Sequence, residues 1–141
     1  MKATGSAVWQ GGLKDGKGAV STQSGVLKDI PYSFSSRFEG KPGTTPEELI
    51  GAAHAGCFSM ALSLILGEAG YVAERLETTA EVTLDRVSDG FAITHVHLTL
   101  RATVPGVERF EFDELAGLAK ANCPVSKALN AEVTLEATLD G

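Results

Sequence analysis

Two cysteines are the residues best equipped for covalent chemistry: Cys57, in Ala55-Gly56-Cys57-Phe58-Ser59, and Cys123, in Asn122-Cys123-Pro124-Val125-Ser126. A thiolate is a strong nucleophile, whereas a protonated thiol packs as a small apolar side chain. The surroundings of Cys57 suit an inert core cysteine as well as a reactive one. Cys123 stands at what reads as a helix start, where free backbone N–H groups and the helix dipole favour a thiolate. A cap residue that merely packs is the other reading. The two lie 66 positions apart, so neither the CxxC redox spacing nor a zinc-ribbon spacing applies, and only tertiary structure can join them.

Other chemistry-bearing residues are sparse. His54 lies one helical turn before Cys57, which makes a Cys-His pair geometrically possible, with no third residue evident to orient it. A Cys-His-Asn hydrolase would also need an oxyanion hole and a cleft, and the sequence carries no signature of either. His95 and His97 alternate on one strand face without a third ligand at convincing spacing, so a half-exposed sheet surface is expected and no metal or cofactor. Gly11-Gly12 and Gly16-x-Gly18 lie in turns with no helix following, unlike a phosphate-binding loop. Arg37, beside Ser33, Phe34, Ser35, Ser36 and Phe38, reads as a solvated strand arginine, and Trp9 and the phenylalanines read as core.

The elements that must position these residues follow from periodicity and punctuation. Ser6–Gln10, Ala19–Thr22 and Tyr32–Phe38 read as strands joined by tight turns, with Asp15-Gly16 the best hairpin signal. Thr45 as N-cap, Pro46 at the first helical position and Glu48 completing a capping box start a helix. Its interior, Leu49 to Leu66, is apolar on nearly every face, which predicts burial all round, and Gly67 or Gly70 ends it. Thr78–Val87 and Phe91–Val104 predict two long antiparallel strands joined near Ser88-Asp89-Gly90. A helix over Asp113–Ala121, a short helix from Pro124 to about Leu129 and a last strand through Val133, Leu135 and Leu139 complete the chain.

The pattern is α+β, with a mostly antiparallel sheet around a long buried central helix. One sheet covers only one side of such a helix, so a second copy of the chain is expected on the other, in an obligate homodimer. The 141 residues argue for one domain, 1–141, without repeats or linkers. Twelve Lys and Arg against 18 Asp and Glu give a net charge of -6, which disfavours nucleic acid and anionic lipid as partners. The longest strongly apolar segment, Leu62–Leu66, is far short of the ~20 residues of a membrane span. With no apolar leader at the N-terminus, a cytoplasmic location and free thiols are the expectation.

Taken together, four segments resemble the OsmC/Ohr family of organic hydroperoxide reductases. They are Gly16-Lys-Gly18 through Gly25-Val-Leu27, Arg37-Phe-Glu-Gly40, the run from Thr45-Pro-Glu-Glu through Ala55-Gly-Cys57-Phe to Ser63, and Cys123-Pro-Val-Ser126. The arginine immediately ahead of the central helix resembles the OsmC branch. The resemblance implies an intertwined homodimer that reduces organic hydroperoxides to alcohols in stress defence. In it, Cys57 is the peroxidatic cysteine, Cys123 the resolving cysteine, and Arg37 with Glu47 the pair that activates the thiol. The implied reductant is a small or lipoyl-type dithiol.

The chemistry suits these residue types. A free thiol of pKa about 8.5 is only about 3% ionised at pH 7, and a guanidinium contact shifts such a pKa by ~1–3 units. Glu47 would hold the guanidinium by a two-pronged contact, and Cys57 sulfenic acid would condense with Cys123. The apolar neighbours Phe58, Met60 and Phe38 favour an alkyl or aryl hydroperoxide over hydrogen peroxide. Glu47 and Cys57 are ten residues apart, roughly 15 Å along a straight helix. The constellation is therefore expected either to assemble across a dimer interface or to need a helix break near Gly51. A dimeric apolar-ligand-binding module with passive cysteines and a thiol redox sensor are the competing readings.

Overall fold

In the computed structural model, which describes residues 1–140, the backbone divides into a first unit, Met1–Leu49, and a second that starts at Ile50. In the first unit β1 (Gly5–Gln10), β2 (Lys17–Thr22) and β3 (Ile30–Tyr32) form an antiparallel sheet in that order. The β1–β2 hairpin closes at Gln10 and Lys17, and the left-handed residue of its connection is Gly11, not the expected Asp15-Gly16 pair. Trp9 is not core: it remains partly exposed, tilts against Tyr32 and donates from Nε1 to the Gly11 carbonyl.

The expected strand over Tyr32–Phe38 is corrected. Only Tyr32 belongs to a strand, and Phe34–Phe38 forms a short helix, α1. The cause is local: Ser33 caps it, its Oγ accepting the Ser36 N–H while Ser36 Oγ accepts the Ser33 N–H. Serines that bond neighbouring backbone groups divert the chain from a ladder, a competition that alternation alone does not reveal.

Helix α2 (Pro46–Glu68) starts where expected. Thr45 Oγ1 accepts the Glu48 N–H at 2.9 Å, while the Glu48 carboxylate takes the hydroxyl of Thr44 instead of returning to the cap. At the other end Tyr71 N–H bonds the Leu66 carbonyl and Gly70 N–H the Gly67 carbonyl, with Gly70 in the left-handed region, so Gly70 and not Gly67 terminates the helix. The helix runs unbroken through Gly51, which removes the expected break at that position. A Cβ at Gly51 would stand 3.1 Å from the Ala80 carbonyl, so glycine there serves close packing and not a kink.

In the second unit β4 (Arg75–Val87) and β5 (Gly90–Thr103) pair antiparallel, and β6 (Glu132–Asp140) adds to β5 in parallel. The sheet is thus mixed: β6 returns over α3 (Arg109–Asn122) and α4 (Pro124–Ala128), and a helical crossover delivers a parallel strand. Val96, Leu98, Leu100 and Ala102 of β5 meet Phe58, Leu62 and Leu66 of α2 and Phe112, Ala116 and Ala119 of α3 in one core. His95 and His97 face the other way, half-buried, and both reach Thr134 Oγ1 at 2.8 and 2.7 Å.

Burial of α2 is one-sided within the chain. Gly51, His54, Phe58, Leu62 and Leu66 are buried, whereas Met60 is 78% and Leu64 64% exposed. By length and composition the helix qualifies as a membrane span, which the short run Leu62–Leu66 does not suggest. Its packed stripe makes it the core helix of the second unit.

Candidate active site

Each of the four expected site residues has another as its neighbour, and one pair falls in each unit. In the first, α1 is anchored by Ser36, whose Oγ donates to the Thr44 carbonyl at 2.9 Å, one residue before the cap of α2. This anchor sets Arg37, in the last turn of α1, beside Glu47, in the first turn of α2. Arg37 Nε donates to Glu47 Oε1 and Nη2 to Oε2, both at 2.8 Å. The parallel, two-pronged geometry is the strong form of a guanidinium–carboxylate contact. The Glu47 side chain is 13% exposed and that of Arg37 36%. Hydrogen bonding to Glu47 holds the Arg37 guanidinium above its ordinary pKa, so it is a permanent cation. Its Cζ lies over the Phe38 ring at 5.3 Å from the centroid.

Beside this guanidinium, Trp9, Leu13, Tyr32, Phe34 and Phe38 line an open hollow of about 240 Å³. Arg37 therefore belongs to a helix that borders an aromatic surface, where sequence reading placed it on a solvated strand.

In the second unit the fold joins the two cysteines. Cys57, half-buried on α2, and Cys123, fully buried at the N-cap of α4, are free thiols with their Sγ atoms 2.9 Å apart. Pro124 separates α3 from α4 and turns the chain at Cys123, whose N–H still bonds the Ala119 carbonyl. Burial pushes the Cys57 thiol above its ordinary pKa, and the adjacent Cys123 adds to this. The Val125 backbone hydrogen bond acts in the opposite sense.

His54 does not form the Cys-His pair that its spacing allows. Its Nε2 meets Ser126 Oγ at 2.7 Å, and Nδ1 is buried with no hydrogen-bond partner. Ser126 and the Val125 amide are the site groups that sequence reading missed. Their signal is their position in the turn that Cys123 opens. Among the described residues no cluster of three His, Cys, Asp or Glu side chains is arranged to hold a metal.

Residues 38–138 match the family described as OsmC-like protein. The chain is 58% identical over 132 residues to the Peroxiredoxin OsmC of Escherichia coli, covering 94% of this chain and 92% of that one. It is 31% identical over 122 residues to the organic hydroperoxide resistance protein OhrB of Bacillus subtilis, covering 84% and 88%. The crystal structure of B. subtilis OhrB superposes with a TM-score of 0.71 at 29% identity, covering 96% of this chain and 98% of that one. The α+β fold is thus shared with proteins of this kind, and the chain belongs to the OsmC-like family.

Proposed function

We propose that the protein is a thiol-dependent peroxidase of stress defence that reduces organic hydroperoxides to alcohols. The observation that carries this reading is the 2.9 Å approach of two free thiols 66 positions apart. The Cys57 thiolate attacks the distal peroxide oxygen; the O–O bond breaks, the alkoxide leaves as alcohol after taking a proton, and Cys57 becomes a sulfenic acid. Cys123 then displaces water from that sulfenic acid and forms a disulfide. An external dithiol, small or lipoyl-type, reduces the disulfide and leaves as its own disulfide. Free thiols held this close suit a reducing compartment, the cytoplasm.

Burial, with Cys123 adding to it, raises the Cys57 pKa, so the reaction at neutral pH requires a cation. Arg37, held by Glu47 and always charged, fills that role in a site shared between two copies of the chain. Two features support the shared site. Glu47 and Cys57 lie ten residues apart on an unbroken helix, about 15 Å by helical rise. The exposed stripe of α2 through Gly56, Met60 and Leu64 also gives a second copy an apolar surface to cover. In such a dimer the two units of each chain act as one domain.

The aromatic hollow beside Arg37 accepts the organic tail of the peroxide. Consumption of cumene hydroperoxide with a dithiol tests the reading: wild type turns over and Cys57→Ser does not. Equal activity of the two overturns it, and equal efficiency with hydrogen peroxide overturns the role of the hollow.

A further inference from the structure

The buried stripe of α2 is apolar except at one position. Gly51, Phe58, Leu62 and Leu66 fit a core, whereas His54 is fully buried with Nδ1 unpartnered. Burial lowers its pKa and keeps the ring neutral. A proton on Nδ1 would be a buried donor without an acceptor, so the proton sits on Nε2, which donates to Ser126 Oγ. An apolar residue would avoid the unpartnered nitrogen, which leaves the bond to Ser126 as the reason for an imidazole here.

That bond joins α2 to α4 at a place with few other anchors. Helix α4 has five residues and none is fully buried, although Val125 and Leu129 pack against the core. The same turn carries Cys123 Sγ and the Val125 amide, which both face Cys57. His54 and Cys57 are successive-turn neighbours on α2, and Cys123 and Ser126 occupy the first turn of α4. The two pairs, His54–Ser126 and Cys57–Cys123, therefore cross the same helix–turn junction side by side.

We infer that His54 and Ser126 are positioning residues that hold the α4 turn against α2, so that Cys123 captures the Cys57 sulfenic acid before a second peroxide does. This inference rests on the peroxidase reading and adds to it a determinant of how the intermediate partitions. In capture, Cys57–S–OH and Cys123–S–H give the disulfide and water. In the competing step, Cys57–S–OH and a second hydroperoxide give the sulfinic acid and an alcohol, a loss the dithiol does not reverse. The first step is governed by Cys57 ionisation, and the partition by how constantly Cys123 stays at its 2.9 Å station.

The test measures, by intact mass, the fractions of disulfide and sulfinic acid as cumene hydroperoxide is raised over wild type, Ser126→Ala, Ser126→Thr, His54→Leu and His54→Gln. In Ser126→Ala and His54→Leu the peroxide concentration that gives half sulfinic acid falls about three- to tenfold, the worth of one ordinary hydrogen bond. Ser126→Thr keeps the hydroxyl and His54→Gln keeps an N–H donor, so both recover toward wild type. A general loosening of the fold would not produce this recovery. Thermal melts of the same proteins separate unfolding from partition.

Equal partition in wild type and Ser126→Ala overturns the inference, as does a Ser126→Thr protein impaired as much as Ser126→Ala. A wild type that forms no Cys57–Cys123 disulfide with peroxide overturns the peroxidase reading itself, and this inference with it.

Discussion

Replacing Arg37 by methionine removes the guanidinium while keeping an unbranched side chain beside the aromatic hollow, and its effect can be worked through the Cys57 thiolate. In the wild type, Glu47 holds the guanidinium with two bonds of 2.8 Å and keeps it charged. Within the chain, burial is the largest influence on Cys57 and acts upward, Cys123 adds to it, and the Val125 backbone hydrogen bond opposes it. On the proposed reading a guanidinium of the dimer reaches Cys57, and such a contact is worth ~1–3 pKa units, so its loss lowers the thiolate fraction near neutral pH about tenfold to a thousandfold. A more basic thiolate is a better nucleophile, with a Brønsted slope of about 0.4–0.5, and recovers roughly half of this loss on a logarithmic scale. The net loss in the rate of peroxide attack is therefore between about three- and sixtyfold. Arg37→Lys should fall between the two, since an ammonium keeps the charge but not the two-pronged hold of Glu47. The assay is the pH dependence of Cys57 alkylation, with Cys123 replaced by serine in every protein compared, alongside single-turnover peroxide kinetics. An Arg37→Met protein with an unchanged alkylation midpoint and an unchanged rate would refute the assignment of Arg37 as the activating cation.

Cys123→Ser should keep the first turnover of peroxide and lose cycling with dithiol, with Cys57 trapped as sulfenic and then sulfinic acid; continued cycling by mass and turnover measurement would rule against Cys123 as the resolving thiol. Burial lowers the His54 pKa, so the unfolded chain takes up a proton that the folded chain excludes. Stability should therefore fall as pH drops below about 6.5, by at most about 1.4 kcal/mol per pH unit, and more steeply than in His54→Gln; thermal melts with equal slopes would contradict this. At Gly51 a Cβ would press on a strand carbonyl at 3.1 Å, so Gly51→Ala should lower the melting temperature despite alanine's better helix propensity. At Gly56 an added Cβ would meet nothing within 4 Å beyond its chain neighbours and the adjacent backbone of its own helix. If a second copy packs there, Gly56→Ala destabilises and shifts sedimentation toward monomer, whereas a free face gains about 0.5–1 kcal/mol.

Local signals made most of the fold legible. Thr45-Pro46 and Gly70 bracket α2, Ser88-Asp89 joins two alternating strands, and Cys123-Pro124 breaks one helix from the next. Two features escaped for physical reasons. Ser33 and Ser36 cap a short helix where alternation suggested a strand, because side chain-to-backbone bonds compete with the ladder. The parallel placement of β6 escaped because alternation reports which face is buried and not the direction of the neighbouring strand. The candidate site residues were named from residue types and family motifs, and the structure pairs Arg37 with Glu47 and Cys57 with Cys123. The Ser126 bond to His54, across 72 positions, depends on the α2–α4 crossing, which no local pattern encodes.

The span of chain between the two sulfurs holds the C-terminal half of α2, both long strands and all of α3. Oxidation would thus convert the interior of the second unit into a covalent ring. Closing a loop of 66 positions confers about 4 kcal/mol on the chain-entropy estimate. On the proposed peroxidase reading, the oxidised form that awaits its reductant would then resist heat and proteases better than the reduced one, which would preserve an oxidant-overwhelmed population for rescue.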